Sequence, residues 1–103
     1  MTDRLAQLEK LHAADPNDPF CTYGIALEHA KAGRHADALS WLDKTLVIDP
    51  KYCYAYYQKA KVLSDRGDDA AAKDVLKVGM KAATDAGDAH AHSEMLTLLE
   101  SLE

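Results

Sequence analysis

The chain repeats itself at a spacing of 34 residues, and this constrains the fold more than any other feature. Asp15-Pro16 recurs as Asp49-Pro50, Tyr23 as Tyr57, Ala26 as Ala60 and Gly33 as Gly67. Ala38 recurs as Ala72 and Leu42 as Leu76. A fixed period carried by such special positions means stacked copies of one supersecondary unit, each burying its apolar face against the next.

The unit itself reads as a hairpin of two antiparallel helices between Pro19 and Pro50. Asp18 suits the cap of its first helix, because a carboxylate accepts a free amide proton of the first turn. Pro19 suits the first helical position, where no N–H partner is lost. Thr22, Ile25, Ala26 and His29 then fall on one helical face. Gly33 can take the left-handed conformation that ends a helix. Ala38, Trp41, Leu42, Thr45 and Ile48 line one side of the second helix. Asp49-Pro50 stops it, since the residue before proline is pushed out of the helical region.

In these positions the chain resembles the tetratricopeptide repeat (TPR) family, whose unit has this length and two helices. The first copy offers Thr22, Ile25-Ala26, His29, Gly33, Ala38, Leu42, Thr45 and Pro50. The second offers Tyr56, Lys59-Ala60, Leu63, Gly67, Ala72, Leu76, Gly79 and Thr84, with Thr22, His29, Lys59 and Thr84 departing from the family pattern. The expected fold is all-α, a superhelix of about six helices forming a single domain over 1–103. Residues 2–14 are expected as an N-terminal capping helix, with Thr2 or Asp3 at its start and Leu5, Leu8 and Leu11 along one side. Residues 18–50 and 52–84 form the two repeats. Asp85 to Asp88 form a turn, and 88–102 a C-terminal capping helix with Met95, Leu98, Leu99 and Leu102 inward.

Bulk properties bound the function. The net charge of −5 argues against nucleic acid, which needs a basic face to displace counterions. No apolar run approaches the roughly 20 residues of a membrane span. The N-terminus lacks a secretory apolar core, so a cytoplasmic location is expected. Cys21 and Cys53 are then expected as free buried thiols rather than a disulfide. His90 and His92 stand two apart, so on a helix they point in different directions and make a poor metal site. The chain carries no glycine-rich phosphate loop, nucleophile elbow or activated thiol pattern. The expectation is no enzyme, no cofactor and no metal.

Binding is what the resemblance implies. The first helix of each repeat in that family lines a concave groove that holds peptides or short helices. Carried onto this chain, the groove positions are Phe20, Tyr23, Leu27 and Lys31 in the first repeat and Tyr54, Tyr57, Gln58 and Lys61 in the second. His92 and Met95 of the last helix are expected at its end. Phe20, Tyr23, Leu27, Tyr54 and Tyr57 give an aromatic and apolar floor, with Lys31 and Lys61 beside it. Tyrosine suits such a floor, since it is rigid and keeps a hydroxyl for hydrogen bonds. Gly24 in mid-helix is expected to admit a ligand backbone or a neighbouring helix. The family's chaperone-binding members use a Lys, Asn and Arg clamp; Tyr23, Leu27 and Gln58 stand at corresponding positions, which points away from chaperone C-termini as ligands. The expected function is a scaffold that binds a short segment of another protein. The alternative is a homodimer that buries the groove or the C-terminal helix, and the chain's own ends could also fill the floor.

Overall fold

The computed structural model describes residues 3–103. A cap at Thr2 or by the Asp3 side chain lies outside the described residues. Six helices follow one another: α1 (Asp3–Ala14), α2 (Pro19–Lys31), α3 (His35–Ile48), α4 (Cys53–Asp65), α5 (Asp69–Ala86) and α6 (Ala89–Leu102). No strand occurs among the described residues.

Local chemistry sets the helix ends. The Asp18 carboxylate accepts from the Phe20 N–H at 2.9 Å, with Pro19 as the first helical residue. Asp68 and Asp88 cap α5 and α6 by accepting from Ala71 N–H and Ala91 N–H. The turn after α2 runs through Gly33 (φ 76°), and the turn after α4 through Gly67 (φ 87°). This left-handed region costs glycine nothing and strains other residues. Helix α5 continues past Thr84 to Ala86 and stops at Gly87, φ 70°. Thr84 stands where the preceding unit has Pro50, so nothing interrupts the helix there. The expected turn shortens to Gly87-Asp88.

Packing within each hairpin uses small residues. Ala38 and Ala72 are fully buried, as are Ala26 and Ala60 within a percent. Gly79 is the tightest crossing, since a Cβ there would lie 2.5 Å from Tyr56 Cβ and 2.7 Å from Met95 Sδ. In the first hairpin the corresponding place is Thr45, whose hydroxyl meets that of Thr22 at 2.7 Å with both residues wholly buried. Two apolar clusters result, one between α2, α3 and α4, the other between α4, α5 and α6. Met95 is fully buried in the second cluster and does not reach a groove, which corrects its expected place. Leu98 and Leu102 pack against the edge of that cluster.

Helix α1 packs on α2 through Leu8, which is 3% exposed. A Cβ on Gly24 would come within 3.1 Å of both Leu8 methyls. Gly24 therefore admits a neighbouring helix, not a ligand. Leu11 is 56% exposed, against expectation. Three-residue steps fall short of a full turn, so the inward stripe runs Leu5, Leu8, His12 and leaves Leu11 to one side.

The backbones of α2 and α4 come close, and so do those of α4 and α6, whereas the backbones of α1, α3 and α5 stay apart, with α1 reaching α3 through the His12 and Trp41 side chains. The first helices of the hairpins thus lie together on one side. The second helices stand apart on the other.

Candidate interaction groove

The side formed by α2, α4 and α6 carries two small hollows. Leu27, Lys31, Gln58 and Lys61 share one of about 330 Å³ between α2 and α4, completed by Ala30, Val62 and Asp65. Tyr57 lines the other, about 350 Å³ between α4 and α6, with Ser93, Glu94, Thr97, Leu98 and Ser101. The Lys61 ammonium lies 5.6 Å above the Tyr57 ring and links the two. Five of the eight expected groove residues are thereby brought together.

The other three sit differently. Tyr54 meets Tyr57 edge-on at 6.2 Å, and its hydroxyl donates to Glu94 at 3.5 Å. Tyr23 is half-buried against Tyr52, ring centroids 4.9 Å apart, and packs on the first apolar cluster. Phe20 is 63% exposed and lines neither hollow. The aromatic residues therefore divide between groove wall and inter-repeat packing.

Electrostatics differ along the groove. Lys31 pairs with Glu28 at 3.2 Å, and Glu28 also faces Arg4 at 3.6 Å. Glu94 faces His90 at 2.6 Å. Burial raises the Tyr23 hydroxyl above its usual pKa, opposed by the nearby Gln58 amide. Burial also raises Tyr54, helped by the Glu94 charge. Both phenols stay protonated at neutral pH and remain hydrogen-bond donors. His92 is half-buried beside Gly87 and Asp88 at the α5–α6 turn.

The last helix was expected at the groove's end through His92 and Met95, but the residues that form its wall were missed. Their signal was present: Ser93, Thr97 and Ser101 recur every four residues, placing three hydroxyls on one helical face. Val62 was also missed, because it is 3% exposed and reads as core while its edge forms the hollow's base.

Cys21 and Cys53 are free and buried, and burial pushes both thiols up from their ordinary pKa. Among the described residues no three His, Cys, Asp or Glu side chains gather as a metal site would require. No described helix is long and apolar enough to cross a membrane.

No protein-family model matches the chain. A tetratricopeptide repeat and J domain-containing co-chaperone of Cryptococcus neoformans var. grubii is 35% identical over 89 residues. That match takes in 86% of this chain, which spans only 17% of the relative's length. The structure of the Yersinia enterocolitica type III secretion translocator chaperone SycD superposes with a TM-score of 0.87 at 18% identity, covering 97% of this chain and 70% of that one. A tetratricopeptide repeat domain protein from Salinibacter ruber superposes with a TM-score of 0.75 at 33% identity, covering 86% of this chain and 90% of that one. Its identity and near-complete coverage agree with the period, the glycine turns and the small-residue crossings described above. The chain is a protein-interaction module and belongs to the tetratricopeptide repeat family.

Proposed function

We propose that the α2–α4–α6 side holds a short, apolar, partly acidic segment of another protein in extended form. The observation that carries this reading is the pair of adjoining hollows joined at Lys61 and Tyr57. One has aliphatic walls from Leu27 and Val62 with Lys31 and Lys61 at its rim. The other is lined by hydroxyls, Leu98 and the Glu94 carboxylate, so the acidic residues of the segment belong at the first hollow. Each volume suits a single side chain, so the segment is gripped by two side chains while Gln58 and the tyrosines supply hydrogen bonds. Such a contact is smaller than a standard interface of about 800 Å² per partner, and it suits a weak, exchanging adaptor. The chain acts as a scaffold without catalysis, and a cytoplasmic setting would keep its two thiols reduced.

The test is a peptide array of short segments that pair Leu or Phe with Asp or Glu, probed with the labelled protein. Bound sequences are then titrated against Lys31→Glu/Lys61→Glu. Both lysines are exposed, so the fold survives the change. The expected result is affinity at least tenfold weaker in the variant. Equal affinity for both proteins would remove this assignment.

A further inference from the structure

A hollow larger than either of the groove's two lies on the opposite side. It is an open trough of about 710 Å³ along the outer flank of α3, within the 300–1,000 Å³ typical of ligand sites. It forms where the backbones of α1 and α5 stand away from α3. Its apolar surface comes chiefly from Leu39, Val47 and Ile48 of α3 and Pro16 of the α1–α2 turn. Val47 is 83% exposed and shares one apolar surface with Leu39, Ile48 and Pro16.

Charge at the trough runs against that of the whole chain. Lys44 and Arg66 line it, in a protein of net charge −5. No ion pair among the described residues uses either. The one carboxylate in the lining, Asp43, is held by Lys59 at 2.8 Å. The trough is thus apolar along its length with a cationic rim. The lining residues of α3 recur at helical spacing from Ala36 to Ile48, a stripe of about 18 Å at 1.5 Å per residue. A second helix laid alongside meets such a stripe through its own i, i+3, i+4 and i+7 positions.

We propose that this trough is a second binding surface, whose occupant is an amphipathic helix of a partner protein with aliphatic residues on one face and flanking Asp or Glu. Lys44 and Arg66 take the carboxylates, and Leu39, Val47 and Ile48 take the aliphatic side chains. This surface is independent of the α2–α4–α6 groove, so the protein can hold two segments at once.

The single tryptophan of the chain reports on this surface. Trp41 is flanked by two trough residues, with the Lys44 ammonium 4.2 Å above its ring and His12 edge-on at 5.0 Å. The probe is a stapled helical peptide of about 14 residues, long enough for three to four turns, with Leu on one face and Glu flanking it. The control is the same peptide with Lys replacing Glu. The expected result is a saturable change in Trp41 fluorescence with the Glu peptide and none with the Lys peptide. Lys44→Glu/Arg66→Glu should weaken binding about tenfold, as reversal of two rim charges would, and Val47→Asp should abolish it. Lys31→Glu/Lys61→Glu should leave it unchanged, which separates failure here from failure of the groove. No fluorescence change up to about 1 mM, the weak end of specific recognition, would overturn the proposal. So would equal response to both peptides, or a Trp41 signal that changes on dilution of the protein alone, which would place a second copy in the trough.

Discussion

Two glycines within helices should respond oppositely to the same substitution. Replacing either with alanine gains about 0.8–1.0 kcal/mol of helix propensity. At Gly79 the new Cβ would lie 2.5 Å from Tyr56 Cβ. That atom is fixed to the backbone of α4, so only separation of α4 from α5 relieves the clash, and Met95 Sδ at 2.7 Å blocks the other side. Overpacking costs about 1–3 kcal/mol, and a clash with an immovable atom belongs at the top of that range. The expected net loss for Gly79→Ala is about 2 kcal/mol, or a fall in Tm of roughly 8–16 °C at about 4–8 °C per kcal/mol. At Gly24 the nearest atoms are the Leu8 methyls at 3.1 Å. These are the free end of a flexible side chain and can rotate a few tenths of an ångström. Gly24→Ala should therefore be neutral or stabilising by up to about 1 kcal/mol. Thermal and urea unfolding followed by helical circular dichroism would measure both. An unchanged Tm for Gly79→Ala, or the same loss at both sites, would refute the close-approach account.

Thr22 and Thr45 share two hydroxyl protons among three contacts: each other, the Pro19 carbonyl and the Trp41 carbonyl. Each single change to Val should cost about 1 kcal/mol, and the double variant less than their sum; additive losses in urea titrations would show that the pair does not couple. Gly67→Val should destabilise through backbone strain alone, about 1–3 kcal/mol, because φ is 87° and nothing stands within 4 Å of an added Cβ; an unchanged melting temperature would contradict that conformation. Burial raises the pKa values of Cys21, Cys53, Tyr23, Tyr52 and Tyr56. For groups raised in the folded state, stability is fully present below the unfolded pKa and lost as pH rises through the folded one. Tm should hold from neutral pH to about 8 and fall above about pH 9, where unfolded thiols and then phenols ionise; a flat profile to about pH 11 would contradict the burial.

The architecture was legible because it rests on backbone chemistry that sequence expresses directly. Asp18-Pro19 opens α2, Gly33 and Gly67 turn the chain, and paired alanines mark the crossings, each for a reason that needs no knowledge of neighbours. What escaped depends on which residue faces which helix. Gly24 could serve a ligand or a helix, and only the placement of Leu8 decides. Leu11 joined the inward stripe on paper because three leucines at a spacing of three look like one face. The end of α5 moved two residues because Thr84 replaces a proline, a change that removes a stop without supplying a new one. Tyr23 reads as groove, yet it packs on Tyr52 at the start of α4, a contact that only the placement of α4 beside α2 decides. The α3 trough was missed although apolar residues surround much of that helix: Leu39 and Val47 lie beyond the stripe of Ala38, Leu42 and Thr45, and Ile48, read as part of that stripe, lines the trough instead. Apolar residues on more than one face are a readable sign of a second contact surface.

The most direct measurement is an amide NMR titration of the protein with an array-selected, extended, acidic–apolar peptide. The expected shifts gather at Leu27, Lys31, Tyr57, Gln58 and Lys61 and along Ser93, Thr97 and Ser101, with α3 unmoved. Shifts confined to α3, or none at about 1 mM peptide, would contradict the claim that the α2–α4–α6 side is the groove that holds a partner.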